Sequence, residues 1–182
     1  MPSLVLLKEM IKALRRCVTT RYPFGPPATI IHGYRGQPEI DKEKCTGCGA
    51  CAQACSTEAI RIKQGEDTRI IDVFYGKCAF CQRCEDVCPE DAIRLTERFE
   101  LAGYERESLR VNNEVKMSKC ANCGHTFFPD KQVEIMKKRV LENIKADIKT
   151  EVQSDLEKYS QYCVNCRRDL SFTMDTHTRK WY

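Results

Sequence analysis

Residues 45–62, CTGCGACAQACSTEAIRI, are echoed by residues 78–95, CAFCQRCEDVCPEDAIRL. The offset is 33, and seven of the eighteen positions are identical: four cysteines and the Ala-Ile-Arg that follows them. Each half places three cysteines at i, i+3 and i+6 and a fourth four residues later: Cys45, Cys48, Cys51 and Cys55, then Cys78, Cys81, Cys84 and Cys88. A duplicated unit with so many thiols and so few large apolar residues is held together by what the thiols bind.

Thirteen cysteines in 182 residues admit two readings, a disulfide framework or metal ligation. Disulfide-dense domains are exported. The start of the chain, MPSLVLLKEMIKALRRC, has no basic stretch ahead of an apolar core, and its apolar run stops at Lys8, so a signal peptide is not expected. No window approaches 18 uncharged apolar residues, so no membrane span is expected. Metal ligation in a reducing, cytosolic setting follows.

The spacing matches the bacterial two-cluster ferredoxin run. Three thiolates at i, i+3 and i+6 wrap a loop around one face of a [4Fe–4S] cubane. The fourth opens the next chain direction and reaches the other cluster. Cluster I is expected on Cys45, Cys48, Cys51 and Cys88, and cluster II on Cys78, Cys81, Cys84 and Cys55. A pair of zinc knuckles would need only four ligands each and no repeat. Purely structural clusters remain a competing reading, although one would suffice to staple a fold. Ser56 stands where the second half has Pro89, a non-ligand position. Arg83 and Lys77 lie near cluster II in sequence, as tuning charges or as solvated surface.

A second module, Cys120-x2-Cys123-Gly124-His125 with Cys163-x2-Cys166, has the paired spacing of a tetrahedral zinc site; a rubredoxin-like iron is the redox alternative. Four thiolates leave His125 no place as a ligand. Between the pairs, Val133, Met136, Val140, Ile144 and Ile148 form a helical stripe with Asp130 as a candidate N-cap. One helix over residues 131–160 would span ~45 Å and keep the pairs apart. A shared metal therefore requires a helical hairpin, turning near Asp147–Thr150, with Thr150-x-x-Gln153 as a capping box.

Residues 1–22 read as an amphipathic helix, with Leu4, Leu7, Ile11, Leu14 and Val18 opposite Lys8, Lys12, Arg15 and Arg16. Tyr22-Pro23 ends it. The expected domains are a helix and Pro/Gly-rich tether over 1–44, a two-cluster core over 45–96, a linker over 97–119 and a four-cysteine helical module over 120–182. The fold class is α+β. Cys17 reads as a small buried hydrophobe, and His32 and His177 carry no pattern. The helix is expected to dock on a membrane subunit or the membrane surface, with packing on the core as the competing reading. The formal charge of +4 is offset by roughly −6 from two clusters and one zinc with their thiolates, so it is weak evidence for nucleic-acid binding. No run of five basic residues and no aromatic–basic interleaving points to nucleic acid.

Thr20-Arg21-Tyr22-Pro23, Tyr34-Arg35-Gly36 and the run from Cys45 to Ile93 resemble the two-cluster subunit shared by respiratory complex I and membrane-bound [NiFe] hydrogenases. The C-terminal cysteine pairs resemble the small iron–sulfur subunit of formate hydrogenlyase-type hydrogenases. Ser56 and the helical insert depart from that pattern. The resemblance implies a non-catalytic subunit on the cytoplasmic side of the membrane, held peripherally. It would relay single electrons between an input module and a hydrogenase-like small subunit. A free soluble ferredoxin and an assembly factor with structural clusters are the competing readings.

Overall fold

The computed structural model describes residues 2–15, 24–25, 29–171 and 173. Cys17, Val18, Tyr22-Pro23 and His177 lie outside them, so the expectations placed there are not addressed. The chain forms two units, Met1–Tyr34 and Arg35–Tyr182.

In the first unit, α1 (Pro2–Arg15) carries Leu4, Leu7, Ile11 and Leu14 exposed. Lys12 pairs with Glu9 at 2.7 Å, one turn apart on the polar face. No helix among the described residues is long and apolar enough to cross a membrane.

The second unit starts ten residues ahead of the first cluster cysteine because the chain there closes a sheet. β1 (Pro38–Ile40) runs antiparallel to β4 (Ile93–Leu95), pairing Ile40 with Ile93. Gly36 extends the pairing by donating to the Thr96 carbonyl at 2.7 Å. A Cβ on Gly36 would stand 2.1 Å from the Arg98 carbonyl oxygen, so only glycine allows this approach. The Tyr75 hydroxyl donates to the Pro38 carbonyl at 3.0 Å, which satisfies a buried polar group in the same corner.

β2 (Ile60–Gln64) and β3 (Thr68–Phe74) form an antiparallel hairpin. β5 (Arg110–Lys119) lies on the other side of β3, and β6 (Thr126–Pro129) pairs with β5, giving the order β2-β3-β5-β6. Residues 97–119, read as a linker, thus contain the longest strand of the unit. The core gathers Ile40, Cys45, Ile60, Ile71, Val73, Tyr75, Ala92 and Ile93. Ile71 and Val73 are essentially sealed, each stabilising by roughly 1.5–3 kcal/mol. Asp72, between them, is buried but paired with Lys63 at 2.7 Å and Arg110 at 2.8 Å, as a buried charge must be. Desolvation opposes its charge, and the two cations outweigh it, holding the carboxyl below its ordinary value.

α4 (Asp130–Glu142) and α5 (Lys149–Ser160) fill the interval between the two later cysteine pairs. The break falls at residues 143–148, earlier than Asp147–Thr150. Its cause is Asn143, whose Nδ2 captures the Arg139 carbonyl at 2.7 Å and ends the helix. Two capping assignments are corrected. Asp130 is the first helical residue after Pro129, and its carboxylate accepts from the Ser118 hydroxyl. Thr150 lies inside the first turn of α5, whose N-cap is Ile148 without a side-chain bond. α6 (Val164–Asp169) closes the described chain.

Candidate metal centres

The repeat in the sequence is a repeat in the backbone. Gly47 (φ 73°) corresponds to Phe80 (51°), Gly49 (86°) to Gln82 (73°) and Glu58 (51°) to Asp91 (47°), each pair 33 residues apart. Among the described residues, every non-glycine in the left-handed region belongs to one of these pairs. Such positions cost about 1–3 kcal/mol outside glycine and persist where the surroundings demand them. The left-handed turns fold the loop amides back on the sulfurs. Gly47 donates to Cys45 and Phe80 to Cys78, the latter at 3.4 Å. Ala59 donates to Cys55 and Ala92 to Cys88, the latter at 3.1 Å. Two short helices carry the next thiols, α2 (Ala50–Ala54) with Cys51 and α3 (Arg83–Asp86) with Cys84.

Cys45, Cys48 and Cys51 line one cavity with Cys88 from the other half, walled by Ile40, Ile71, Ala92 and Ile93. We call it cradle I. In the companion cradle II, Cys78 lies close to Cys55 and Cys81, and Cys84 close to Cys78 and Cys81. The thiol environments follow from burial. Desolvation lifts Cys51 to about 12, helped by the like charges of Cys45, Cys48 and Cys84. It lifts Cys84 to about 11, although the Glu85 N–H works against it. Cys45 and Cys78 are also raised, again by burial first. Cys55 is the exception. Burial opposes its thiolate, but the Thr57 hydroxyl and the N–H groups of Ile60, Ala59 and Thr57 win, and its value falls.

One contributor escaped the sequence reading. Asn113 of β5 is 2% exposed, stands opposite Ile71 in the register and favours the Cys45 thiolate. The alternation Val111, Asn113, Val115, Met117 across β5 was its signal.

The four-cysteine site differs in kind. The sulfurs of Cys120, Cys123, Cys163 and Cys166 all lie within 4.8 Å of one another. Among the described residues, no other set of three or more His, Cys, Asp or Glu ligand atoms closes so tightly. Cys123 and Cys163 stand 3.7 Å apart, against about 3.8 Å for the edge of a tetrahedron with metal–sulfur bonds of about 2.3 Å. The thiols therefore fit one tetrahedral ion. The first pair sits in a knuckle between β5 and β6, where Gly124 (φ 71°) donates to the Cys120 carbonyl and Cys120 to that of His125, both at 2.9 Å. The second pair opens α6, with the Cys166 N–H directed at the Cys163 sulfur at 3.5 Å. The Cys163 N–H and the Asn122 amide donate to Cys120 and Cys166 at 3.2 and 3.3 Å. Desolvation opposes the Cys120 thiolate, but the N–H groups of Cys123, Cys163 and Asn122 bring it down to about 6. Asn122 favours the Cys166 thiolate, but burial and the neighbouring thiols outweigh it and push Cys166 up to about 12. A bound cation would resolve that opposition. His125 is exposed and outside the set.

The two regions touch. Arg139 of α4 pairs at 2.7 Å with Glu90, in the wall of cradle I. Lys131 donates to the carbonyls of Lys42 and Glu43 at 3.0 and 3.2 Å, just before Cys45.

The 4Fe-4S dicluster domain family matches residues 38–95, the span from β1 through β4. Formate hydrogenlyase subunit 6 of Escherichia coli (strain K12) is 35% identical over 130 residues, 70% of this chain and 71% of that protein. NADH-quinone oxidoreductase subunit I of Helicobacter pylori (strain Shi470) is 37% identical over 114 residues, 58% of this chain and 52% of that protein. A solved membrane-bound sulfane sulfur reductase, an archaeal respiratory membrane complex, has a chain with 33% identity and a TM-score of 0.40, covering 56% of this chain and 55% of its own. The resemblance drawn from the sequence is thus met on both of its sides, and the chain belongs to the family of iron–sulfur subunits represented by formate hydrogenlyase subunit 6.

Proposed function

We propose that the chain is a non-catalytic subunit that relays single electrons through two [4Fe–4S] clusters within a membrane-bound oxidoreductase complex. The observation that carries this reading is the duplicated cradle with its crossed fourth thiol, Cys88 lining the cavity of Cys45, Cys48 and Cys51. Cluster I is assigned to those four, and cluster II to Cys55, Cys78, Cys81 and Cys84. Bound there, each cluster supplies one-electron redox chemistry. The chain's own work is to hold and insulate. The amides of Gly47, Phe80, Ala59 and Ala92 favour thiolate at the ligands they address. Ile40, Ile71 and Ile93 keep water from cradle I. Cys51 and Cys84 are close enough to feel each other's charge, which makes them the meeting point of the cradles.

The four-cysteine site is assigned to structural zinc, on the closed tetrahedral set that leaves no open position. It staples the open end of a helical hairpin formed by α4 and α5. We place the subunit peripherally, on the cytoplasmic side of a membrane, with a hydrogenase-like small subunit among its partners. The exposed leucines of α1 support contact with a membrane subunit or the membrane surface.

Anaerobically purified protein is expected to contain about eight irons and one zinc per chain, with a reducible EPR signal. In native extract it is expected to size with a large assembly. Migration of the intact chain near 21.0 kDa would favour a free carrier, and iron far below eight would end the relay reading.

A further inference from the structure

An open cavity of about 270 Å³ lies against the β2–β3 hairpin. Five cations line it: Arg61 and Lys63 of β2, Lys77 ahead of Cys78, Arg106, and Arg110 of β5. Only two carboxylates, Glu58 and Asp72, face them. Those two are already engaged, Glu58 with Arg61 at 2.8 Å and Asp72 with Lys63 and Arg110. Lys77 and Arg106 have no carboxylate partner among the described residues. The wall is shared with cradle II, since Lys77 precedes Cys78 and Ala59 donates its N–H to Cys55.

Lys63 and Arg110 converge on Asp72, so that point is already filled by a carboxylate, and Lys77 and Arg106 come from other elements; a small anion is therefore poorly matched. Arg61 and Lys63 lie two residues apart on one strand face, about 7 Å, the spacing of alternate side chains in an extended partner. We propose that this cavity seats an extended, carboxylate-rich segment of the subunit that exchanges electrons at cradle II. The proposal rests on the assignment of Cys55, Cys78, Cys81 and Cys84 to one cluster.

The test uses the full-length protein loaded with its metals and a short fluorescein-labelled poly-glutamate peptide. Peptide binding is expected to weaken by at least about tenfold in K77E/R106E, and less in K77Q/R106Q. It is expected to weaken as salt rises above about 0.1 M. K138E/K149E, on exposed helical positions elsewhere, is expected to bind within about twofold of the parent. Bound peptide adds negative charge beside cradle II, so the midpoint potential of that cluster is expected to fall while that of cluster I holds. Equal weakening in both double variants, an unmoved potential, or pyrophosphate binding that poly-glutamate fails to displace would each overturn the docking proposal. Full iron with a reducible signal but no peptide binding overturns docking alone. Binding by a chain that lacks the second cluster overturns the relay assignment beneath it.

A different observation carries a second inference. Asn113 is buried, its amide favours the Cys45 thiolate, and its Nδ2 donor makes no hydrogen bond of good geometry within the protein. Its strand neighbour Ile71 lines cradle I, and Val115, next on the same face, lies 3.1 Å from where a Gly47 Cβ would stand. We infer that Asn113 is a positioning residue that donates to the Cys45 sulfur in the loaded protein and so raises the potential of cluster I. N113A is expected to lower the midpoint potential of cluster I and leave that of cluster II in place, with partial recovery in N113S. Unchanged potentials at full iron content, or equal shifts at both clusters, would overturn it.

Discussion

Cradle I and cradle II are built from one repeated pattern and end in different surroundings. Cradle I is walled by Ile40, Ile71, Ala92 and Ile93, its Cys45 is buried, and α4 braces its rim through Arg139 and Glu90. Cradle II keeps Cys81 at the surface, with Lys77 and Arg83 exposed beside it and a cationic cavity against its wall. The repeat sets which sulfurs meet; the chain added after it sets what those sulfurs feel. Exposure and nearby cations both favour the more negative, reduced form, so cluster II is expected to have the higher potential.

The largest effects test the crossing itself. Cys88→Ala is expected to abolish the cluster of the first loop and Cys55→Ala that of the second, each leaving about four of about eight irons. EPR-monitored redox titration identifies the survivor. Loss of the cluster belonging to the mutated half would mean that each half keeps its own fourth ligand.

Acidity gives a second comparison. Cys51 and Cys84 are equivalent in the repeat and raised from 9.0 to about 12 and about 11. In metal-free protein the fold holds these protons where the unfolded chain has released them. The stability they contribute is complete below about pH 9 and is lost as pH rises towards 11 and 12. Thermal melts of metal-free, reduced protein are expected to fall between about pH 8 and pH 11. Metal loading must expel the same protons, so it is expected to tighten as pH rises through this range. A flat profile would mean that burial does not set these thiols.

The smallest effect concerns the brace. Arg139→Ala removes an ion pair whose Glu90 side chain is only 16% exposed, worth about 0.2–1 kcal/mol. In air, the cluster of cradle II is expected to decay first in the parent protein, and R139A to narrow the gap by hastening decay in cradle I. Iron release followed by absorbance and EPR reads both rates.

Much of this was legible because cysteine spacing is a local code. The repeat pointed to both cysteine loops and to their common spacing. β5 was missed because a polar residue, Asn113, occupies one of its inward positions and breaks the alternation of Val111, Val115 and Met117. Asp130 and Thr150 have the chemistry of caps, but tertiary bonds decided otherwise: Ser118 claimed the first, and the chain had already turned before the second. The left-handed Phe80 and Gln82 were invisible to propensity, since only their glycine counterparts in the first half signal that conformation.

β5 is a single ten-residue strand. It begins at Arg110 over the Phe74 ring, passes Asn113 behind Cys45, and ends at Lys119, adjoining Cys120 of the knuckle. Loading of the four-thiol site would pin one end of this spar and leave the cleft of cradle I part-shaped before any iron arrives. Maturation would then have a preferred order, the ion of the four-thiol site ahead of the clusters, and withholding that ion from the growing chain would leave both kinds of site unfilled.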